Sequence, residues 1–473
     1  MMKCGFSKVK ITPKNGAIMA GTMEVKHSTG VLDDLYARAV SFFDGETKAL
    51  VISIDLCNMG NDVNDECRER ISKECGMDID AIMLTCVHTH AGPLASLTQA
   101  PDNKYTKEDC EQIVEYREFL IEKICESARL SFETLAPAKF YTATDKAEGI
   151  AHTRRFRMTD GRVVTNPGMD WNCSGDPITC CPIPDNTGVA EALSKPDETV
   201  RILKIEREGE KDICIVNFGL HATSAHVRKI SADYPGRLCG IVERAIDNVN
   251  CVFIQGAEGD VAQINRNPSE AERRFLTEDN ENAGETLNKT TQLAQVIASC
   301  VLRKYMVADS ISDGKIFFGK KDLALPANKD DSNYDEALRI VELHKEGRHH
   351  ELPYDGMELV TVLAKAKRVV RLKDAPDFFS YSFFAMAFGD FAFIGTPGEL
   401  FTELGARIFA VSPYKHTMLC GITNVRSTYF LTDKALLEGG YEAVTSNIGV
   451  GSEGIMVEGA KELLCSLKDA SER

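Results

Sequence analysis

Leu84-Thr85-Cys86-Val87-His88-Thr89-His90-Ala91-Gly92-Pro93 is the stretch on which the fold turns. The apolar run from Ala81 to Val87 predicts a buried strand, and Gly92-Pro93 predicts its stop. His88 and His90 then stand at the strand's exit. Side chains two apart in extended backbone project to one face, so both imidazoles are expected over one small volume. Such a pair can hold a metal, or one ring can ligate while the other handles protons. Two core histidines satisfied by nearby polar groups would give the same spacing.

The flanking chain predicts a layered α/β protein. Leu35 to Phe43 and Ala49 to Leu56 read as strands joined by a turn at Asp44-Gly45. Asn64 to Cys75 reads as a polar helix leading into the His88 strand, an order that favours parallel neighbours. Asp55 closes its strand near the point where His88 closes the next. It could orient a ligand histidine or cap the following helix. Thr106 and Asp109 predict a capping box for a long helix whose stripe is Ile113, Tyr116, Leu120, Ile124 and Ala128. The expectation is one α/β domain over 1–473, with mixed sheets flanked by helices and a helical excursion around 321–377.

Polar residues follow apolar runs again downstream. Ile213 to Phe218 predicts a strand that enters Gly219-Leu220-His221-Ala222-Thr223-Ser224. Cys251 to Gln255 predicts another, entering Gly256-Ala257-Glu258-Gly259-Asp260-Val261-Ala262. Glycines there allow close backbone approach and N–H donors, while an ordinary turn capped by Asp260 fits as well. Phe383 to Phe388 and Phe391 to Ile394 predict a hairpin. After it, Pro397-Gly398 is expected to start a helix with Glu399 in its first turn, where an acid complements the helix dipole. Taken alone, Arg154 reads as a salt-bridging surface arginine, and Tyr429 and Tyr441 as packed rings. The adjacent His349 and His350 read as a solvated surface. Cys86, inside an apolar run, reads as an inert core thiol rather than a nucleophile beside His88. Cys173, Cys180 and Cys181 cluster in a loop-like stretch from Met169 to Asp197 but fit no standard zinc spacing.

In their order these segments resemble the neutral/alkaline, non-lysosomal ceramidases. His88-Thr89-His90-Ala91-Gly92-Pro93 is similar to that family's His-Thr-His-Ser-Gly-Pro, with Ala91 for Ser. His221-Ala222-Thr223-Ser224, Gly259-Asp260-Val261, Pro397-Gly398-Glu399, Asn424-Val425 and Tyr441-Glu442 follow in family sequence, and the resemblance runs from about Gly30 to Glu442. It implies a ceramidase catalytic-domain-like fold without the carboxy-terminal immunoglobulin-like domain. It also implies a zinc-dependent amidohydrolase. His88, His221, Glu399 and Tyr429 would be the Zn²⁺ ligands, with His90, Tyr441, Asp260 and Arg154 around the reacting bond. Two imidazoles and a carboxylate suit zinc with one position open for water. Ala262 stands where the family carries Ser, which excludes a serine acyl-enzyme there and leaves metal-activated water. Thr153 precedes Arg154 where the family has Asn. The expected substrate is a small acyl amide other than ceramide. A lactone or ester on the same zinc site, and a non-catalytic binding protein on the same scaffold, are the alternatives.

Composition narrows the partners. The formal net charge of −16 disfavours nucleic acid and anionic membrane surfaces. Hydrophobic content of 43% is ordinary for a globular chain, and no run approaches a transmembrane span. The first residues lack the apolar core of a signal peptide, so the sixteen cysteines are expected as reduced thiols in a cytoplasmic protein.

Overall fold

The strand Ile82–Cys86 is buried at every residue although it ends its sheet. Its outer edge is sealed by a later segment: Asn424 Oδ1 accepts from Leu84 N–H at 2.7 Å, and Asn424 N–H donates to the Leu84 carbonyl at 2.9 Å. Covering an edge this way satisfies its unpaired backbone groups. The computed structural model describes the chain except for residues 22–24, 100–104, 169–185, 226–227, 282–286, 330–332, 425–427 and 473.

The larger sheet has nine strands. Its order is Val249–Gln255, Asp212–Phe218, Thr199–Arg207, Ala136–Lys146, Lys3–Lys10, Tyr36–Phe43, Lys48–Ile54, Ile82–Cys86, with Asp309–Ile311 added beside Ala136–Lys146. Its two ends return toward each other, since Gln255 Nε2 donates to the Val87 carbonyl at 3.0 Å. A second sheet orders Phe317–Pro326, Phe378–Phe388, Phe391–Gly395 and His416–Cys420. Phe6, Phe42, Phe140, Phe388, Phe391 and Phe393 join the two sheets in one apolar cluster.

Within these two sheets, among the described residues, three neighbouring pairs are parallel: Lys48–Ile54 with Ile82–Cys86, Asp212–Phe218 with Val249–Gln255, and Phe391–Gly395 with His416–Cys420. Parallel neighbours need crossovers, supplied by helices Asn61–Cys75, Asp233–Ala245 and Thr402–Val411. The expected capping box of Thr106 and Asp109 starts helix Lys107–Glu133, whose buried stripe includes Ile113, Tyr116, Leu120, Ile124 and Ala128. Helices Tyr334–Lys345 and Gly356–Leu372 share an apolar cluster of their own. Among the described residues no helix is long and apolar enough to cross a membrane.

The parallel pairs fix where chemistry can be placed. The loops that leave the carboxyl ends of Ile82–Cys86, Asp212–Phe218, Val249–Gln255 and Phe391–Gly395 carry His88, His221, Glu258 and Glu399. Crevices outside the carboxyl ends of strands are the usual ligand sites of open α/β sheets.

Candidate metal centre

His88 lies two residues past its strand, and its backbone turns left-handed, with φ of 68°. Strand alternation therefore does not align His88 with His90. The loop brings them together, with ring centroids 4.8 Å apart. The unusual backbone is pinned on both sides: His88 N–H donates to Leu56 O at 2.9 Å, and His90 N–H to Ala222 O at 3.1 Å. A non-glycine residue held at positive φ is a feature that clusters at functional sites. His221 enters from the neighbouring loop, its ring 4.8 Å from that of His88.

Glu399 faces both rings. Its Oε2 lies 3.4 Å from His88 Nε2 and 3.1 Å from His221 Nε2. Tetrahedral zinc with bonds of about 2.0–2.1 Å sets its ligand atoms about 3.3 Å apart. The ligand atoms of His88, His221 and Glu399 all lie within 4.8 Å of one another, and all three residues are buried. Each imidazole uses its far nitrogen to fix its orientation: His88 Nδ1 donates to Cys57 O at 3.0 Å, and His221 Nδ1 to Glu258 O at 2.8 Å. Both Nε2 atoms are thereby turned toward Glu399, as in metal sites whose ligand histidines are braced from behind.

The electrostatics of this cluster follow from burial and charge. Burial alone would lower the His88 pKa, but the Cys57 sulfur and the Glu399 carboxylate outweigh it and hold it well above the usual value. His221 is pushed down to about 4, by burial first and then by the Arg154 charge. Burial and the neighbouring His88 and His221 push His90 well below its usual range. Glu399 stays well below the carboxylate range because His88 and His221 overcome its desolvation. The charged form is thus favoured at His88 and Glu399 and disfavoured at His90 and His221. His90 keeps its place by donating Nδ1–H to Gly21 O at 3.2 Å, with Nε2 at 3.2 Å from His88 Nε2.

Arg154 is buried, not a surface arginine. Its Nη1 donates to His221 Nε2 at 3.0 Å, its Nη2 to Gly259 O at 2.7 Å, and its Nε pairs with Glu442 at 2.7 Å. Its guanidinium lies over the Tyr429 ring, 5.3 Å from the centroid. Tyr429 pairs in register with Glu399 in the short parallel ladder Glu399–Leu400 with Tyr429–Phe430. The Tyr441 ring lies 6.0 Å from that of Tyr429, and burial with the Glu399 charge pushes the Tyr441 pKa up to about 12. Asp260 spends its carboxylate on helix Thr402–Val411: Oδ1 accepts from Thr402 N–H at 2.8 Å and from its hydroxyl at 2.9 Å. Its carbonyl accepts from Arg154 N–H at 3.2 Å. Asp260 therefore tethers the segment behind Glu399.

Several expectations need correcting. Glu399 is not in a helix. Its N–H donates to Thr428 O and Phe401 N–H donates to Phe430 O, so the backbone stays extended until Thr402. Gly398 is required there, because a Cβ would lie 2.3 Å from both Thr428 O and the Phe430 ring. Asp55 neither orients a histidine nor caps a helix. It is buried against Arg38, with Nη1 at 2.7 and 2.8 Å from its two oxygens. The thiol beside His88 is Cys57, at 3.7 Å, and not Cys86, whose burial raises its pKa strongly. His349 begins a short turn, His349–Glu351, in the helical excursion, next to His350. Cys173, Cys180 and Cys181 lie outside the described residues. The thirteen described cysteines are free thiols. Sequence reasoning assigned no role to Cys57 or Glu442 and passed over Glu258. A charged residue between glycines just past a buried strand was the available signal for Glu258.

These features define an α/β protein with a buried two-histidine, one-carboxylate cluster at the carboxyl ends of its parallel strands. The fold is that of the neutral ceramidases. A crystal structure of neutral ceramidase from Pseudomonas aeruginosa superposes with a TM-score of 0.71 at 14% identity, covering 99% of this chain and 75% of that one. A ceramidase complexed with C2 gives a TM-score of 0.68 at 13% identity, with the same coverage. No protein-family model matches the sequence, and no curated protein matches it.

Proposed function

We propose that the protein is a zinc-dependent hydrolase that cleaves an amide (N-acyl) bond of a small molecule. The observation that carries this reading is the convergence of His88, His221 and Glu399, with carboxylate-to-imidazole distances of 3.4 and 3.1 Å. Tyr429, in register with Glu399, would complete the ligand set. When bound, zinc supplies Lewis acidity and lowers the pKa of water to about 7. The chain's own groups then divide the remaining work. His90, kept neutral by burial, offers a lone pair at Nε2 that can take a proton and pass it to a leaving amine. The Tyr441 phenol, still protonated at neutral pH, can donate to the substrate carbonyl oxygen as charge builds on it. Arg154 Nη1 donates to His221 Nε2, and with that nitrogen given to a metal the same donor would be available to the substrate oxygen or to Tyr429, over whose ring the guanidinium lies. Ala262 has no hydroxyl, so the reading needs no covalent acyl-enzyme at that position.

Elemental analysis of the purified protein with a panel of N-acyl amides, esters and lactones tests this. The expected result is one zinc per chain and chelator-sensitive turnover of an acyl amide, both lost in His221→Ala. Full metal content and activity in that variant, or a metal-loaded wild type that turns over no acyl compound, would overturn it.

A further inference from the structure

Next to the loop that carries His88 and His90, helix Lys107–Glu133 and the segments around 12–18 and 93–94 enclose a cavity of about 180 Å³. Its floor is Ala17, Ile18, Pro93, Leu94 and Ile113, all buried. Phe119 also lines it and is 38% exposed, so this ring stands at the mouth. Protein interiors pack close to crystal density, and apolar hollows of this size are uncommon in them. An apolar cavity of about 150 Å³ takes up a benzene ring, so this one has room for a single ring.

The polar groups around the cavity are already engaged. Thr12 Oγ1 donates to Asp34 at 2.9 Å and accepts from Leu35 N–H at 2.9 Å. The Tyr116 hydroxyl donates to the Ile11 carbonyl at 2.9 Å. Lys14 and Glu115, both exposed, form an ion pair with each other. A ligand that enters therefore meets apolar surface and a rim whose charges are paired. A charged molecule would lose hydration there without gaining a counter-ion of its own. Gln112 adds an uncharged amide to the lining.

The floor of the cavity is also the shelf that holds two histidines of the centre. Leu94 N–H donates to Ile18 O at 2.7 Å and Ala20 N–H to Gly92 O at 2.9 Å, which ties the two segments together. One residue further on, Gly21 O accepts from His90 Nδ1 at 3.2 Å. Ile18, Leu94 and Ile113 pack in one apolar cluster with Cys57, whose carbonyl accepts from His88 Nδ1 at 3.0 Å.

We propose that this cavity binds a neutral compound the size of one six-membered ring, an aryl or cycloalkyl alcohol, and that its occupancy is coupled to the metal centre through the segments that hold His88 and His90. The binding site stands on the cavity alone, and the coupling rests on the metal reading above. An occupant stiffens the floor, so zinc meets histidines that are already held and binds more tightly.

The experiment is ligand-observed NMR on the metal-free full chain with benzyl alcohol, benzylamine and benzoate, for wild type, Ala17→Leu and Phe119→Ala, each variant first shown to be folded by circular dichroism. Leucine at 17 fills the hollow, and alanine at 119 removes a wall at a position open to solvent. The expected result is a dissociation constant of about 1 mM or below for the alcohol and binding of both charged analogues weaker by about tenfold. A17L should lose the alcohol, and F119A should bind it several-fold more weakly; if A17L does not fold, F119A locates the site. No binding of the alcohol by wild type, equal binding of either charged analogue, or wild-type binding in the folded variants would overturn the site. Competitive zinc titration against a chromophoric chelator then compares wild type with and without saturating benzyl alcohol. A gain in zinc affinity of about fivefold is expected, absent in A17L. Equal zinc affinity in the two conditions would overturn the coupling. A wild type that binds the alcohol but no zinc would overturn the metal reading, and the coupling with it, while the alcohol site stands.

Discussion

Glu442 holds the arginine of the centre in place, and neutralising it has a consequence that can be worked out in advance. The carboxylate is wholly buried between two guanidinium groups, Arg154 with Nε at 2.7 Å and Arg155 with Nε at 3.9 Å, and it accepts from Thr165 Oγ1 at 2.7 Å. Arg154 cannot lose its charge, because its pKa is raised far out of range: Tyr429, Glu442 and Glu399 outweigh the desolvation of its buried guanidinium. Glu442→Gln therefore leaves a buried cation short of a partner, at a cost of about 3–5 kcal/mol. Unfolding entropy of about 2.1 cal/mol/K per residue gives about 1 kcal/mol/K for a chain of this length, so the unfolding midpoint should fall by about 3–5 °C. Removing the cation as well, in Arg154→Met with Glu442→Gln, should recover part of the loss. A coupling energy of about 1–3 kcal/mol is expected from the double-mutant cycle. The assay is thermal unfolding of the metal-free proteins at one pH and salt. Additivity of the two substitutions within about 0.5 kcal/mol would refute the claim that the pair acts as a unit.

Other outcomes follow from the same geometry. Because the pKa of His88 is raised in the metal-free site, zinc binding should release a proton from it, and apparent affinity should fall about tenfold per unit as pH drops below that raised pKa. Calorimetry in two buffers of different ionisation enthalpy measures this, and zero proton release would contradict the His88 assignment. Asp260→Ala should cost about 1–2 kcal/mol by uncapping helix Thr402–Val411, and should lower zinc affinity through the displaced Glu399 segment. Unchanged affinity would show that the tether does not reach the metal. Asp55→Asn, by breaking the buried pair with Arg38, should destabilise by about 3–5 kcal/mol while the folded variant still binds one zinc. Loss of zinc from folded D55N would instead make Asp55 part of the centre.

Much of this protein could be read from its residues. The hairpin through Asp44-Gly45, the parallel neighbour that ends at His88 and the capped helix with its Ile113-to-Ala128 stripe all follow from patterns local in sequence. Glu399 was misplaced in a helix because Pro-Gly and a following apolar stripe are shared by helix starts and by short strands. The backbone of Thr428 and Phe430 decides between them, and that partner lies far along the chain. His88 and His90 do converge, although through a left-handed turn and not through strand alternation. Asp55 was misread for a different reason: its partner Arg38 lies on the adjoining strand of the same hairpin, and an acid at a strand end looks the same whether it meets a neighbouring arginine, a histidine or a helix. Glu258 was missed because an acid between glycines looks like an exposed turn until the surrounding strands are seen to bury it.

The cluster draws its members from loops spread between His88 and Glu399, and the short strand that holds Glu399 is paired with Tyr429–Phe430. A ribosome-bound chain has none of this assembled until Tyr429 and Phe430 have emerged. An ion that binds there would arrive late in folding and clasp the first third of the polypeptide to the last. Loss of the ion would then loosen distant stretches together, so protease sensitivity after chelation should spread well beyond the site.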